Sequence, residues 1–207
     1  MGGFEFLVIF RIGSFVVLPG VDPSKLTGQA SGIFGLLDTF LGGAFSNASV
    51  FALGIMPYIS ASIVLQLMTV AVPYFQKLQK EGDSGRKKIN QLTRVLTIAF
   101  CLAQGFSYVS AAIDPEAILS NTFFFKFTSV IILTSGTIFC MWLGVKITDK
   151  GIGNGISMLI MIGIISRFPG SIAAEAITRG MSEMLLFIIE LVALFFVVLV
   201  TVALVQA

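Results

Sequence analysis

Residues 50–66, Val-Phe-Ala-Leu-Gly-Ile-Met-Pro-Tyr-Ile-Ser-Ala-Ser-Ile-Val-Leu-Gln, are an apolar run of membrane-crossing length, broken by Gly54, Pro57, Ser60, Ser62 and Gln66. A helix that only anchors a protein in lipid needs none of these groups; a helix that lines a path through the membrane does. Pro57 removes one backbone hydrogen bond and is expected to bend the helix, which lipid tolerates only where neighbouring helices or water satisfy the freed carbonyl. The hydroxyl and amide side chains make the same demand.

The rest of the chain fits this environment. It is 56% hydrophobic and 12% charged, against about 25% charged in soluble domains, so a multi-span helical membrane protein is expected. Charge-poor stretches place six spans at roughly 4–20, 48–74, 95–113, 126–146, 154–174 and 184–206, each near the length a bilayer requires. The first looks short and the last stops without a basic loop, as in a piece of a longer protein.

Lys77, Lys80, Arg86, Lys87, Lys88 and Arg94 fall between spans two and three, and Lys146 and Lys150 between spans four and five. Lys25, Lys126, Arg167 and Arg179 fall to the other side. This bias places the 75–94 loop, and with it both ends of the chain, in the cytoplasm. Cys101 and Cys140 lie inside apolar runs and read as small buried hydrophobes. With no histidine in the chain, the usual zinc and haem sites are not expected. No cofactor and no catalytic residue is expected, and the chain does not read as an enzyme.

Two features resist assignment from composition. Residues 31–45 are apolar but too short and glycine-rich to span, with Asp38 at their centre. They suit either an apolar loop on the outer surface or a short helix tucked into the mouth of a pore. Gly151-Ile152-Gly153-Asn154-Gly155 has the glycine spacing of a nucleotide loop, but no strand precedes it, and a glycine-rich helix entry is the better account.

The run Ala52-Leu53-Gly54-Ile55-Met56-Pro57-Tyr58-Ile59-Ser60-Ala61-Ser62-Ile63 closely resembles the second-helix signature of the SecY family of bacterial protein-export channels. Further matches follow in family order: Arg11-Ile12-Gly13-Ser14-Phe15 with Pro19-Gly20, Lys80-Glu81-Gly82, Gly85-Arg86-Lys87-Lys88-Ile89, Gln91-Leu92-Thr93-Arg94, Met141-Trp142-Leu143-Gly144 and Gly151 to Ser157. The resemblance implies an all-α, ten-helix channel of two pseudo-symmetric halves in the bacterial inner membrane. It passes unfolded preproteins across the membrane and releases apolar segments sideways into lipid. This chain would supply the first six helices and a short re-entrant plug, lacking helices seven to ten. The implied partners are the SecE and SecG subunits, the SecA motor or the ribosome on the cytoplasmic side, the signal sequence and membrane lipids, with no nucleic acid.

Residue by residue, the resemblance makes Ile55, Ile59, Ile156 and Ile160 parts of an apolar pore ring. Each pair is four apart and so shares a helix face. A collar of branched side chains offers water and ions no hydrogen bond and gates by dewetting. The 31–45 segment becomes the plug, with Ile33, Phe34, Leu36, Leu37, Phe40 and Leu41 held against the ring. Ser60, Ser62, Gln66 and Gln104 are candidates for the lining of the lateral gate, or make ordinary interhelical hydrogen bonds. Lys80, Arg86, Lys87 and Lys88 form the cytoplasmic basic loop, which either meets SecA or anionic lipid or simply sets topology. The alternative from another class is a small-molecule secondary transporter. It would need converging ionisable groups near the midplane, and the spans do not supply such a set.

Overall fold

The computed structural model describes residues 4–22, 33–111, 113, 118, 122–150, 153–178 and 184–206. Among these, eight helices follow one another: α1 (Phe4–Gly13), α2 (Ile33–Phe40), α3 (Met56–Ala71), α4 (Pro73–Lys80), α5 (Asp83–Ala111), α6 (Thr122–Asp149), α7 (Gly155–Thr178) and α8 (Met184–Gln206). The chain forms two compact units, residues 1–165 and 166–207, where a single domain is expected from the sequence. The second unit holds the end of α7 and all of α8. In α8 the large apolar side chains are exposed and the mean hydropathy reaches 3.1, as suits a helix facing lipid.

Among the described residues, four helices, α5 to α8, are long and apolar enough to cross a membrane, or five spans if the bent pair α3–α4 counts as one. The differences from six expected spans have local causes. As described, α1 has ten residues, about 15 Å of helix against a hydrocarbon core of about 30 Å. Beyond it the chain turns and pairs with the segment ahead of α3: Val50 N–H donates to the Val16 carbonyl at 2.8 Å and Leu18 N–H to the Ala48 carbonyl at 2.9 Å. The expected 48–74 helix begins only at Met56, because residues 48–55 are a series of turns.

Pro57 therefore does not kink a helix. It occupies the first turn of α3, where its missing N–H costs nothing. The bend comes later, at Val72–Pro73, where α3 and α4 meet at 98°. Val72 is extended (φ −110°, ψ 121°), the conformation a following proline imposes, and Pro73 opens α4. The basic 75–94 segment is accordingly helical over most of its length, split between α4 and the start of α5.

Two apolar cores hold the first unit. One gathers Leu18, Val21, Ala52, Leu53, Tyr108, Val109, Phe125 and Leu133. The other joins Leu7, Phe10, Phe51, Ile55, Cys140, Leu143, Ile147 and Leu159. Phe51 is the second core's keystone: its ring stacks on Phe10 and on Phe139, each at 5.9 Å between centroids. Cys101 and Cys140 are free and buried, as small apolar side chains.

Helix α7 enters through a compact hairpin. Thr148 Oγ1 donates to the Gly144 carbonyl at 2.9 Å and accepts from Gly155 N–H at 2.8 Å. Asn154 Oδ1 accepts from Ile156 N–H at 3.1 Å and caps the helix. A side chain on Gly155 would collide with the Gly144 carbonyl, and one on Gly144 would crowd Ile156, so each position favours glycine for its own reason.

Candidate functional site: an apolar constriction beneath a short helix

Helix α2 is short because its C-terminal end is closed by glycine. Gly42 has φ +63° and Gly43 φ +92°, a backbone that L side chains rarely adopt. Gly43 N–H donates to the Asp38 carbonyl at 2.9 Å and Gly42 N–H to the Thr39 carbonyl at 3.2 Å, the paired bonds of a Schellman cap. The chain is turned back at once toward the start of α3.

This turn closes an apolar cavity of about 210 Å³ lined by Phe10 of α1, Phe40 and Leu41 at the end of α2, Ile55, Met56 and Ile59 at the start of α3, and Leu159 and Ile160 of α7. No lining side chain carries an N–H or O–H group or a charge, and the Met56 thioether is only a weak acceptor. Water held there would forgo its hydrogen bonds, so the space favours emptiness or an apolar occupant. Four segments remote in sequence thus converge on one constriction.

Of the four expected ring residues, Ile55, Ile59 and Ile160 line the cavity. Ile156 does not. It packs against the second core, as Ile59 and Ile160 also do, but it is turned toward α6, where a Cβ on Gly144 would lie 2.9 Å from its Cγ1. Phe10, Met56 and Leu159 complete the lining and were not anticipated. Leu159, the immediate neighbour of Ile160 in α7, was within reach of a reading of the sequence, whereas nothing local pointed to Phe10.

Among the expected plug residues, Phe40 and Leu41 face the constriction and Leu37 a second cavity. Leu36 points away and is 63% exposed, so it is not held against the ring as expected: it stands five residues before Leu41, about 140° around the helix axis, and falls on another face. The side chains of Ile33 and Phe34 lie outside the described residues.

The second cavity, about 300 Å³, shares Leu41 and Met56 with the first and adds Ser60 of α3 and Gln104, Ser107 and Tyr108 of α5. Ser60 and Gln104 therefore face a common space beside α2. Ser62 and Gln66 do not join them. They line a third cavity of about 250 Å³ with Thr69, Gln79, Arg86 and Asn90, and Gln66 Nε2 donates to Ser62 Oγ at 3.3 Å. Successive helical residues are 100° apart, so Ser60 and Ser62 cannot serve one face.

In the basic segment, Arg86 reaches that third cavity, while Lys80 and Lys87 are exposed. Lys88 Nζ lies 3.8 Å from Glu81 Oε2, with both side chains more than half exposed. Such pairs contribute between about 0 and 1 kcal/mol, so the segment's charge does not hold the fold.

The loop after α2 is tied to three other helices. Arg11 Nη1 donates to the Gly42 carbonyl at 2.7 Å, and Tyr108 Oη to the Phe45 carbonyl at 2.7 Å. Gly163 of α7 passes so close that a Cβ there would lie 2.5 Å from the Phe40 carbonyl oxygen. Asp38, buried, accepts from Ser46 N–H at 2.8 Å and from Ser46 Oγ at 3.0 Å.

The arrangement has counterparts among known proteins. Residues 49–207 match the family model described as SecY. The chain is 46% identical over 202 residues to the protein translocase subunit SecY of Buchnera aphidicola subsp. Schizaphis graminum, covering 93% of this chain and 46% of that protein. It is also 46% identical over 175 residues to the SecY subunit of Escherichia coli K12, covering 81% and 40% respectively. The fold resembles Sec61 in the canine ribosome-channel complex from the endoplasmic reticulum, with TM-score 0.58 and 22% identity over 80% of this chain and 35% of that one. A structure described as a protein-conducting channel matches equally, at TM-score 0.58. The chain spans less than half the length of these relatives. A family match running from ahead of α3 to the end of α8, around an apolar constriction of this composition, makes the chain a multi-span membrane protein of the SecY family.

Proposed function

We propose that this chain forms part of the wall, collar and plug of a protein-conducting channel, which passes unfolded polypeptides across a membrane and releases apolar segments into lipid. The observation that carries the reading is the apolar cavity joining Phe40 of α2 to Ile55, Ile59 and Ile160. A collar of aliphatic groups blocks ions when empty, because it offers nothing to replace their hydration. It also yields around a polypeptide of any sequence, because dispersion contacts carry no directional requirement.

In this reading Ser60 and Gln104 line the lateral gate beside the plug, and Ser62 and Gln66 continue the polar path along α3 toward its α4 end. The α4–α5 segment, with Lys80, Arg86, Lys87 and Lys88, lies on the cytoplasmic side, as do both ends of the chain. The partners are those of the family's channel: SecE, SecG, and SecA or the ribosome at the cytoplasmic face. Localisation is the bacterial inner membrane. The transporter alternative finds no support, since the constriction holds no polar or ionisable side chain.

The test is ion conductance of the assembled channel in planar bilayers. Replacing Ile55, Ile59 and Ile160 together by serine is expected to raise the resting conductance strongly. Conductance equal to that of the parent would overturn the assignment of the collar.

A further inference from the structure

The residues that keep the plug in place emerge from the geometry around Gly42. Helix α2 has no basic residue in its last turn, so its carbonyl end carries an uncompensated partial negative charge. The compensation comes from another helix. The Arg11 guanidinium of α1 donates to the Gly42 carbonyl at 2.7 Å, a short charge-assisted bond in a partly buried setting, and lies over the Phe15 ring at 4.6 Å from its centroid. The arginine in the last turn of α1 thus acts on the end of α2.

On the other side of the glycine joint, the Asp38 carboxylate spans back to Ser46. It accepts from Ser46 N–H at 2.8 Å and from Ser46 Oγ at 3.0 Å. Ser46 belongs to the anchored side of the joint, for its neighbour Phe45 is held by Tyr108 Oη at 2.7 Å. Between Asp38 and Ser46 stand Gly42, which Arg11 holds, and Gly43, both at positive φ, a backbone open to glycine at no steric cost.

We infer that Arg11 and Asp38 are the positioning residues of the plug: Arg11 on the Gly42 carbonyl and Asp38 on Ser46 clasp α2 over the constriction, and the Gly42–Gly43 joint is where it parts. The inference rests on the reading of α2 as a plug. It assigns a task to two charged groups that a closed apolar constriction does not itself require. Removing either tie leaves the cavity lining intact while loosening the helix that covers it.

The test uses cross-linking in the full chain in its membrane, between cysteines introduced by Phe40→Cys and Ile59→Cys, with a short bifunctional thiol reagent. In the parent the pair is expected to cross-link readily. Arg11→Gln and Ser46→Ala are each expected to slow the reaction by roughly three- to tenfold, and Arg11→Lys, which keeps a charged donor, to restore most of the rate. If the parent pair fails to react, the plug reading itself falls and the clasp with it. If the parent reacts and both Arg11→Gln and Ser46→Ala match it, the clasp alone is overturned. The same holds if Arg11→Lys is no better than Arg11→Gln. Should Arg11→Gln not accumulate in the membrane, Ser46→Ala decides by itself, since it removes one hydroxyl and retains the backbone donor.

Discussion

Gly42 and Gly163 meet backbone against backbone: a methyl group on Gly42 would lie 3.1 Å from both the Cα and the carbonyl oxygen of Gly163. The end of α2 can approach α7 this closely only because neither residue carries a side chain. The contact seats Phe40 and Leu41 beside Leu159 and Ile160 in the constriction.

Gly163→Ala should therefore unseat the end of α2 from the constriction. The new Cβ would stand 2.5 Å from the Phe40 carbonyl oxygen and 3.4 Å from Gly42 N, and backbone atoms cannot rotate aside. Overpacking of this kind costs about 1–3 kcal/mol, to be read as a lowered unfolding midpoint in detergent. Gly170→Ala in the same helix meets open space and should raise the midpoint, since alanine is favoured over glycine in helices by about 1 kcal/mol.

Tyr108→Phe should loosen the loop after α2 without altering the aromatic contact. The hydroxyl bond to the Phe45 carbonyl is 2.7 Å long, whereas the rings meet edge to face at 4.8 Å between centroids, a contact phenylalanine retains. The Phe45 carbonyl keeps the longer bond from Ala48 N–H at 3.3 Å, so a loss of about 0.5–1.5 kcal/mol is expected for the bond removed. Faster hydrogen exchange of Asn47 and Ala48 N–H, relative to the core of α5, would report it.

Ile160→Ser and Ile156→Ser should differ in kind. Only Ile160 lines the constriction, so its serine variant should raise resting ion conductance in planar bilayers. Ile156 is half-buried and lies against Gly144 of α6, and its serine variant should lower thermal stability by about 0.5–3 kcal/mol with conductance near that of the parent. Equal conductance in the two variants would contradict the placement.

Gln104→Leu and Gln66→Leu should also separate. Gln104 shares a cavity with Ser60 and Leu37, while Gln66 belongs to the polar cavity near Arg86. Export of proteins with defective signal sequences should respond to Gln104→Leu more than to Gln66→Leu. An equal response would place both amides on one path.

Much of this was legible in the residues themselves. Apolar length and sparse charge mark α5 to α8 as bilayer-crossing, because a span is a local property of about 20 consecutive residues. The spacing of Ile55 and Ile59 put them on one face, and the shortness and glycine content of residues 31–45 marked a segment that does not span. The bend was misplaced to Pro57 because proline's effect depends on its position in a helix. Whether Pro57 stands in the first turn or the middle depends on where residues 48–55 stop turning, and their pairing with Val16 and Leu18 decides that.

Composition and local pattern by themselves determined that this chain lives in a membrane, carries a broken apolar path and holds a short segment that cannot span. Only the tertiary structure decided that Phe10, Phe40, Ile59 and Ile160 close one cavity, that Ile156 leaves it, and that Arg11 serves the end of α2. Periodicity reports which side chains share a face of one helix. Convergence of four segments depends on how closely helices approach, and here that is governed by contacts such as Gly42 on Gly163, between residues more than a hundred positions apart in the chain.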